Sequence, residues 1–381
     1  DPIGPSLSTK TGEKMTALFQ SYRLNNGVEL KNRLVVAPMT HFGSNPDGTF
    51  STQENAFLQG RAEGFAMFIS AATLVSREGK AFNGQPYALD ERYLDSLKSV
   101  AQNIKSQGAK AILQIHHGGK LAMSELLEGL DKVAPSADEA TGARALTEAE
   151  IEKLIHAFAN ATELAIQAGF DGVEIHGANG YLIQQFVSGH SNHRTDQWGG
   201  SIENRLRFSL AVIDAANAVK EKYQHDDFIL GYRFSPEEPE EDGLTMTDTF
   251  ALIDALVKKP LQYLHVSLWD FYKLARRGAD THKTRMELIH QRINGKLPLI
   301  GVGNLITAEQ MEEAFATGWA EFIAVGKTVL LNPNIVKLIQ SGKTQEISTA
   351  LDPELKAFYR FPNYLWDLNM KEMAFLPPVK K

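Results

Sequence analysis

One repeated pattern constrains this chain more than any other: a short apolar run rich in β-branched residues, then a longer stretch of helical periodicity. The apolar runs lie at 33–38, 67–72, 110–115, 171–175, 228–234, 262–267, 297–302 and 321–325. Helical patterns follow near 52–64, 91–107, 147–168, 202–222, 247–258, 284–293, 307–317 and 327–340. A strand buried on both faces reads as a continuous apolar run, and joining it to a parallel neighbour takes a crossover of helix length. Eight such units, with no Pro/Ser-rich break between them, predict a single (β/α)8 TIM barrel of the α/β class. A doubly wound sheet is the competing arrangement, because it is built from the same units.

Local signals fit these helices. Thr147 with Glu150, and Thr307 with Gln310, have capping-box spacing ahead of apolar runs. Gly108, Gly169 and Gly318 fall just past three helices, where a left-handed residue strains glycine least. Ahead of the first barrel strand, Tyr22-Arg23-Leu24 and Val28-Glu29-Leu30 flank Asn25-Asn26-Gly27, which predicts a β-hairpin lid over the barrel's N-terminal end. The segment 116–146 after the third strand is too long for an ordinary connection and is expected to be a functional loop. The barrel is expected over 15–345. An aromatic C-terminal extension, 346–381, would pack on the barrel or on a partner subunit, which leaves a homo-oligomer open. Residues 1–14 are polar and lack the apolar core of a signal peptide, so they read as a cloning remnant or a disordered segment, with Met15 as the natural start.

Composition excludes several kinds of chemistry. The chain has no cysteine, which removes disulfides, thiolate nucleophiles, zinc–thiolate sites and iron–sulfur clusters, and suits the cytoplasm. A net charge of -7 gives no reason to expect nucleic acid or an anionic membrane as partner. No run reaches the roughly 20 apolar residues of a membrane helix. No metal site is expected.

The strand ends carry the polar chemistry, as they do in barrels that work as enzymes. Val173–Ile175 leads straight into His176, Asn179 and Tyr181. His176 and Asn179 can both donate to a carbonyl oxygen, and Tyr181 holds a phenolic proton of high pKa. The first strand ends in Pro38-Met39-Thr40, the second in Ala71-Ala72-Thr73, the third in Gln114-Ile115-His116-His117, and the fifth in Tyr232-Arg233. Gly303-Asn304 and Gly326-Lys327 follow the seventh and eighth strands, where barrels commonly bind phosphate through backbone amides at a helix start. Residues 301–306, GVGNLI, lack the third glycine of a dinucleotide fingerprint and follow a late strand, so a Rossmann domain is not indicated. Taken singly, Arg233 reads equally as a structural ion-pair residue, and Gln114 or Thr40 as a core-edge polar.

Taken together, these strand ends and the run DGVEIHGANGYLIQQFVSGHSNHRTDQWGGSIENRLRF (171–208) closely resemble the Old Yellow Enzyme family, the FMN-dependent NADH:flavin oxidoreductases and ene-reductases. The resemblance extends from about Tyr22 to Pro333. It implies that Pro38, Met39 and Thr40 lie against the flavin, with Thr40 near the C4 carbonyl, and that Ala72 lets the ring edge approach backbone. It further implies that Gln114 bonds the pyrimidine and that Arg233 sits near N1 and the C2 carbonyl, where charge collects on reduction. Gly303, Asn304, Gly326 and Lys327 would hold the phosphate. Lysine at 327 replaces the family's usual arginine, keeping the charge and losing the bidentate fork. The implied cycle is ping-pong: NADH or NADPH reduces FMN and leaves, and a small electron-poor acceptor such as an α,β-unsaturated carbonyl takes its place. His176 and Asn179 would hold the acceptor oxygen, and Tyr181 would protonate the α-carbon. The chain departs from the pattern at Phe42, where several members have a substrate-facing tyrosine, and at Lys120, where the strand-three run usually ends in arginine.

Two other readings use much the same residues. An FMN barrel of the 2-hydroxy-acid oxidase type would place a histidine base beside carboxylate-binding arginines, and HGANGY at the fourth strand end argues against it. A phosphate-binding lyase or isomerase without redox chemistry would share the loops after strands seven and eight. It would carry a lysine or carboxylate cluster at the centre instead of His176, Asn179, Tyr181, Thr40 and Gln114.

Overall fold

The chain folds around one closed ring of parallel strands in a computed structural model that describes residues 17–381. The expectations for residues 1–14 and Met15 lie outside the described residues. A hairpin comes first, β1 (Tyr22–Arg23) antiparallel to β2 (Glu29–Leu30). Next come β3 (Leu34–Val36), β4 (Met67–Ile69) with its short continuation β5 (Thr73–Leu74), and β6 (Lys110–His116). The long loop after β6 holds a small pair, β7 (Val133–Ala134) and β8 (Arg144–Ala145). The remaining strands are β9 (Gly172–Gly177), β10 (Ile229–Phe234), β11 (Tyr263–Val266), β12 (Leu299–Gly301) and β13 (Phe322–Val325). Each barrel strand pairs in parallel with the next; β13 pairs with β3 and β4 with β6, which closes the eight-stranded (β/α)8 barrel.

Helices follow the strands as the sequence predicts: α1 (Thr52–Leu58), α2 (Leu94–Ser106), α3 (Glu148–Ala168), then α4 (Leu182–Val187) and α5 (Ile202–Lys222) after β9. They continue with α6 (Met246–Leu256), α7 (Arg285–Ile293), α8 (Ala308–Ala316), and α9 (Lys327–Leu331) with α10 (Ile335–Gln340). Both predicted capping boxes form, at Thr147 and at Thr307. Gly108, Gly169 and Gly318 are all left-handed. Two predicted helices are shorter than their patterns. The first ends at Leu58, where Gln59 turns extended and Gly60 takes φ +85°. The last is two helices, because Pro333 has no N–H to donate and disfavours helical backbone at the residue before it.

Period-two alternation within the strands separates two cores. Val173 and Ile175 of β9, with Leu230, Tyr232 and Phe234 of β10, join the large apolar layer between barrel and helices. The alternate positions point inward, where Val35, Met67, Ile112, Ile229, Ile300 and Phe322 fill the lower barrel. Leu24 and Leu30 of the hairpin belong to that interior cluster. Asn25 Nδ2 donates to the Leu261 carbonyl (2.8 Å) and Asn26 Nδ2 to that of Phe228 (3.3 Å), which sets the hairpin against the starts of β11 and β10.

After α10 the chain adds α11 (Lys356–Tyr359) and α12 (Asn363–Met370). Leu351, Tyr359 and Trp366 cluster with Leu331 of α9, and Leu365 and Leu376 reach the large core. Among the described residues no helix is long and apolar enough to cross a membrane, and no group of acidic and histidine side chains could hold a metal ion.

Candidate active site

The C-terminal ends of the strands open onto a cleft of about 530 Å3, within the range of sites that hold cofactor-sized ligands. Pro38, Met39 and Thr40 line it from the end of β3, and Asn179 and Tyr181 from the end of β9. Arg233 comes from β10, Gly303 and Asn304 from the loop after β12, and Gly326 and Lys327 from the turn into α9. Three expected residues do not line the cleft. Gln114 and His176 are buried on the inner faces of β6 and β9, only 1% and 4% exposed. Ala72 is buried at the break between β4 and β5, its carbonyl accepting from Gln85 Nε2 (3.2 Å).

Local hydrogen bonds fix the polarity of the groups after β9. Asn179 adopts a left-handed backbone (φ 59°) and donates its N–H to Ser235 Oγ at 2.8 Å. Ser267 Oγ donates to Asn179 Oδ1 at 2.6 Å. With that oxygen engaged, the two Nδ2 protons are what the amide offers a ligand. The Ala178 N–H donates to His176 Nδ1 at 3.3 Å, so a neutral ring carries its proton on Nε2. Burial, with the Arg233 charge next, pulls the His176 pKa down to about 3, and the ring is neutral at pH 7. Tyr181 meets the His176 ring edge-on at 5.2 Å and the His116 ring at 4.4 Å. Burial raises its pKa above the usual 10, which keeps the phenol protonated. One corner of the cleft therefore holds the Asn179 N–H donor and the Tyr181 O–H, with the His176 N–H buried beside them.

Beneath this corner lies a buried polar layer that sequence reasoning missed. Glu174 is fully buried and accepts from Gln114 Nε2 (2.8 Å), Tyr263 OH (2.9 Å) and His265 Nδ1 (2.8 Å). Arg233 is 7% exposed, and its buried Nε has no partner among the described residues. Sequence reasoning also missed Ser267, the exposed Trp269, and Phe375 and Leu376 of the C-terminal tail, all of which line the cleft. At the other end, Gly303 has φ +137° and lies so close to the next loop that an added Cβ would be 2.4 Å from the Phe271 nitrogen. Gly326 differs: a Cβ there would meet nothing nearer than Met39 Sδ at 3.6 Å, so no protein neighbour requires glycine. Lys327 does not reach freely into the cleft; its Nζ donates to the Ala374 carbonyl of the tail at 3.2 Å.

The family described as NADH:flavin oxidoreductase / NADH oxidase matches residues 17–346. The chain belongs to this family. The probable NADH-dependent flavin oxidoreductase YqiG of Bacillus subtilis (strain 168) is 46% identical, over 96% of this chain and 98% of its own length. The NADH:fumarate oxidoreductase of Klebsiella pneumoniae (strain 342) is 37% identical over 93% of this chain, which spans 39% of that protein. The old yellow enzyme homologue from Zymomonas mobilis has the same fold, with a TM-score of 0.74 and 26% identity over 86% of this chain and 93% of its own. Kinship with the Old Yellow Enzymes holds, as do the single barrel and the pairing of FMN with a nicotinamide reductant. For an NADH:flavin oxidoreductase the residues present fit the cofactor. The Arg233 guanidinium, whose buried Nε has no hydrogen-bond partner among the described residues, suits the electron-rich edge of a flavin, and the bare edge of Gly326 leaves room for a phosphate at the start of α9.

Proposed function

We propose that this chain is an ene-reductase that passes hydride from NADH or NADPH, by way of FMN, to an α,β-unsaturated carbonyl or a similarly electron-poor small molecule. Bound in the cleft, FMN supplies hydride acceptance from the reductant and hydride donation to the acceptor. The protein supplies the rest. Asn179 Nδ2 and His176 Nε2 hold the acceptor's oxygen, stabilising the enolate charge that develops as the β-carbon takes hydride. Tyr181 gives its proton to the α-carbon. Fixed donors in a water-poor corner act without reorganising, and losing one costs about 3–4 kcal/mol of barrier.

The observation that supports this reading best is the fixed polarity of the corner. Ser267 occupies the Asn179 oxygen and Ala178 occupies His176 Nδ1, so both side chains turn donors outward. A base that removes a substrate proton, as in a 2-hydroxy-acid oxidase, needs a free imidazole lone pair, and here the Ala178 N–H takes it. Stopped-flow kinetics on Tyr181→Phe tests the assignment. Reduction by NAD(P)H should persist nearly unchanged while enone turnover falls by about 10²–10⁴-fold, the usual weight of a general acid. Undiminished enone turnover would remove Tyr181 from the proton transfer.

A further inference from the structure

The acidic side chain at the centre of the barrel takes no part in the chemistry proposed above, yet it touches Gln114, a residue expected at the flavin. Glu174 lies on β9, and it is fully buried. Its two oxygens receive three side-chain donors from two other strands: Gln114 on β6, and Tyr263 and His265 on β11. A carboxylate buried this deeply persists only if it is hydrogen-bonded and charge-compensated. Three donors meet the first need. Arg233 meets the second: it stands on β10 beside β9, two residues past the position paired with Glu174 and on the same inward face, and each charge acts on the other, while burial draws the His265 pKa down.

Two consequences follow for the cleft. An ionised carboxylate can only accept, so the Gln114 amide must turn its NH2 toward Glu174. Gln114 Oε1, an acceptor, is then the group the amide has left to offer. The Arg233 guanidinium, which lines the cleft, is in turn partly neutralised from below. On the two strands that flank β9 below the cleft, Gln114 of β6 thus carries a hydrogen-bond acceptor and Arg233 of β10 a moderated cation. That pair matches a ring edge bearing an imide N–H beside carbonyl oxygens.

We propose that Glu174 is a positioning residue for the cofactor: it locks Gln114 as an acceptor and, by offsetting Arg233, holds the reduction potential of bound FMN below the value Arg233 alone would set. This rests on the reading that FMN lies in this cleft. Glu174→Gln removes the charge and keeps nearly the same shape. The measurement is the FMN reduction potential of the purified holoprotein, by dye-coupled titration, together with FMN affinity by calorimetry on reconstituted protein.

In Glu174→Gln the reduced, negatively charged flavin should gain at least about tenfold in binding relative to the oxidised form, a rise of about 30 mV for two electrons. A stoichiometric holoprotein whose potential is unchanged would overturn the proposal and leave Glu174 a purely structural residue. Should Glu174→Gln not fold, Glu174→Asp decides the matter. It retains the charge, so its potential should stay within about a factor of three of wild type on the same scale, and a tenfold rise would count against the proposal. Failure of the underlying reading looks different: wild-type protein itself would take up no FMN in calorimetry.

Discussion

Ser267 determines which end of the Asn179 amide a ligand meets. Its hydroxyl donates to Oδ1 at 2.6 Å, and without it the amide could turn over and present an oxygen to an oxygen. Ser267→Ala should therefore weaken the binding of a phenol, a mimic of the developing enolate, by about tenfold. That is roughly the 0.5–1.5 kcal/mol of one net hydrogen bond, read from the charge-transfer band of the holoprotein. Equal phenol affinity would show that Ser267 does not orient the amide. As candidates, His176, Asn179 and Tyr181 were legible in the sequence because they stand at or just past the end of one strand. Ser267 and Trp269 were not, because a serine or tryptophan in an aperiodic loop carries no pattern. Glu174 escaped notice for a different reason: it sits within the run 171–175, read as apolar, and only closure of the ring gathers its partners from β6 and β11 around it.

Elements placed the rest of the site. Eight runs and eight periodic stretches were enough to predict a barrel, and chain order then sent each polar cluster to the same end of the ring. The short helix α4 was overlooked, since Leu182–Val187 is buried throughout and shows no amphipathic period. The broken last helix was foreseeable at Pro333. What the sequence could not show is the space beside Gly326, which depends on how the start of α9 meets Met39 at the end of the adjacent strand β3. Gly326→Ala tests whether that space belongs to a ligand. Its backbone is not left-handed and its protein surroundings leave room, so the melting temperature of the FMN-free protein should hold within a degree or two. FMN affinity should drop at least tenfold, about 1.4 kcal/mol, because a methyl group would stand where the phosphate end lies. Unaltered FMN binding would place the phosphate elsewhere.

At the scale of the molecule, one buried cation ties the C-terminal tail to the ring. Arg61 is fully buried and donates to the carbonyls of Phe57, Val329, Leu330 and Tyr359, with its guanidinium stacked 4.3 Å from the Phe57 ring centroid. Nothing in the sequence singles it out, since its partners are backbone atoms as many as 298 positions away. Arg61→Met should strand those carbonyls and lower stability by about 3–5 kcal/mol in denaturant titration. A loss under about 1 kcal/mol would mean the tail is held by its apolar contacts alone.

The hairpin has the last consequence. Leu24 and Leu30 pack into the apolar interior of the lower barrel, leaving the cleft at the C-terminal ends of the strands as the opening. A doorway with no rear exit fits the proposed cycle, in which the spent nicotinamide departs before an acceptor settles. Crowding by either substrate should therefore slow turnover, each acting as a dead-end inhibitor against the other.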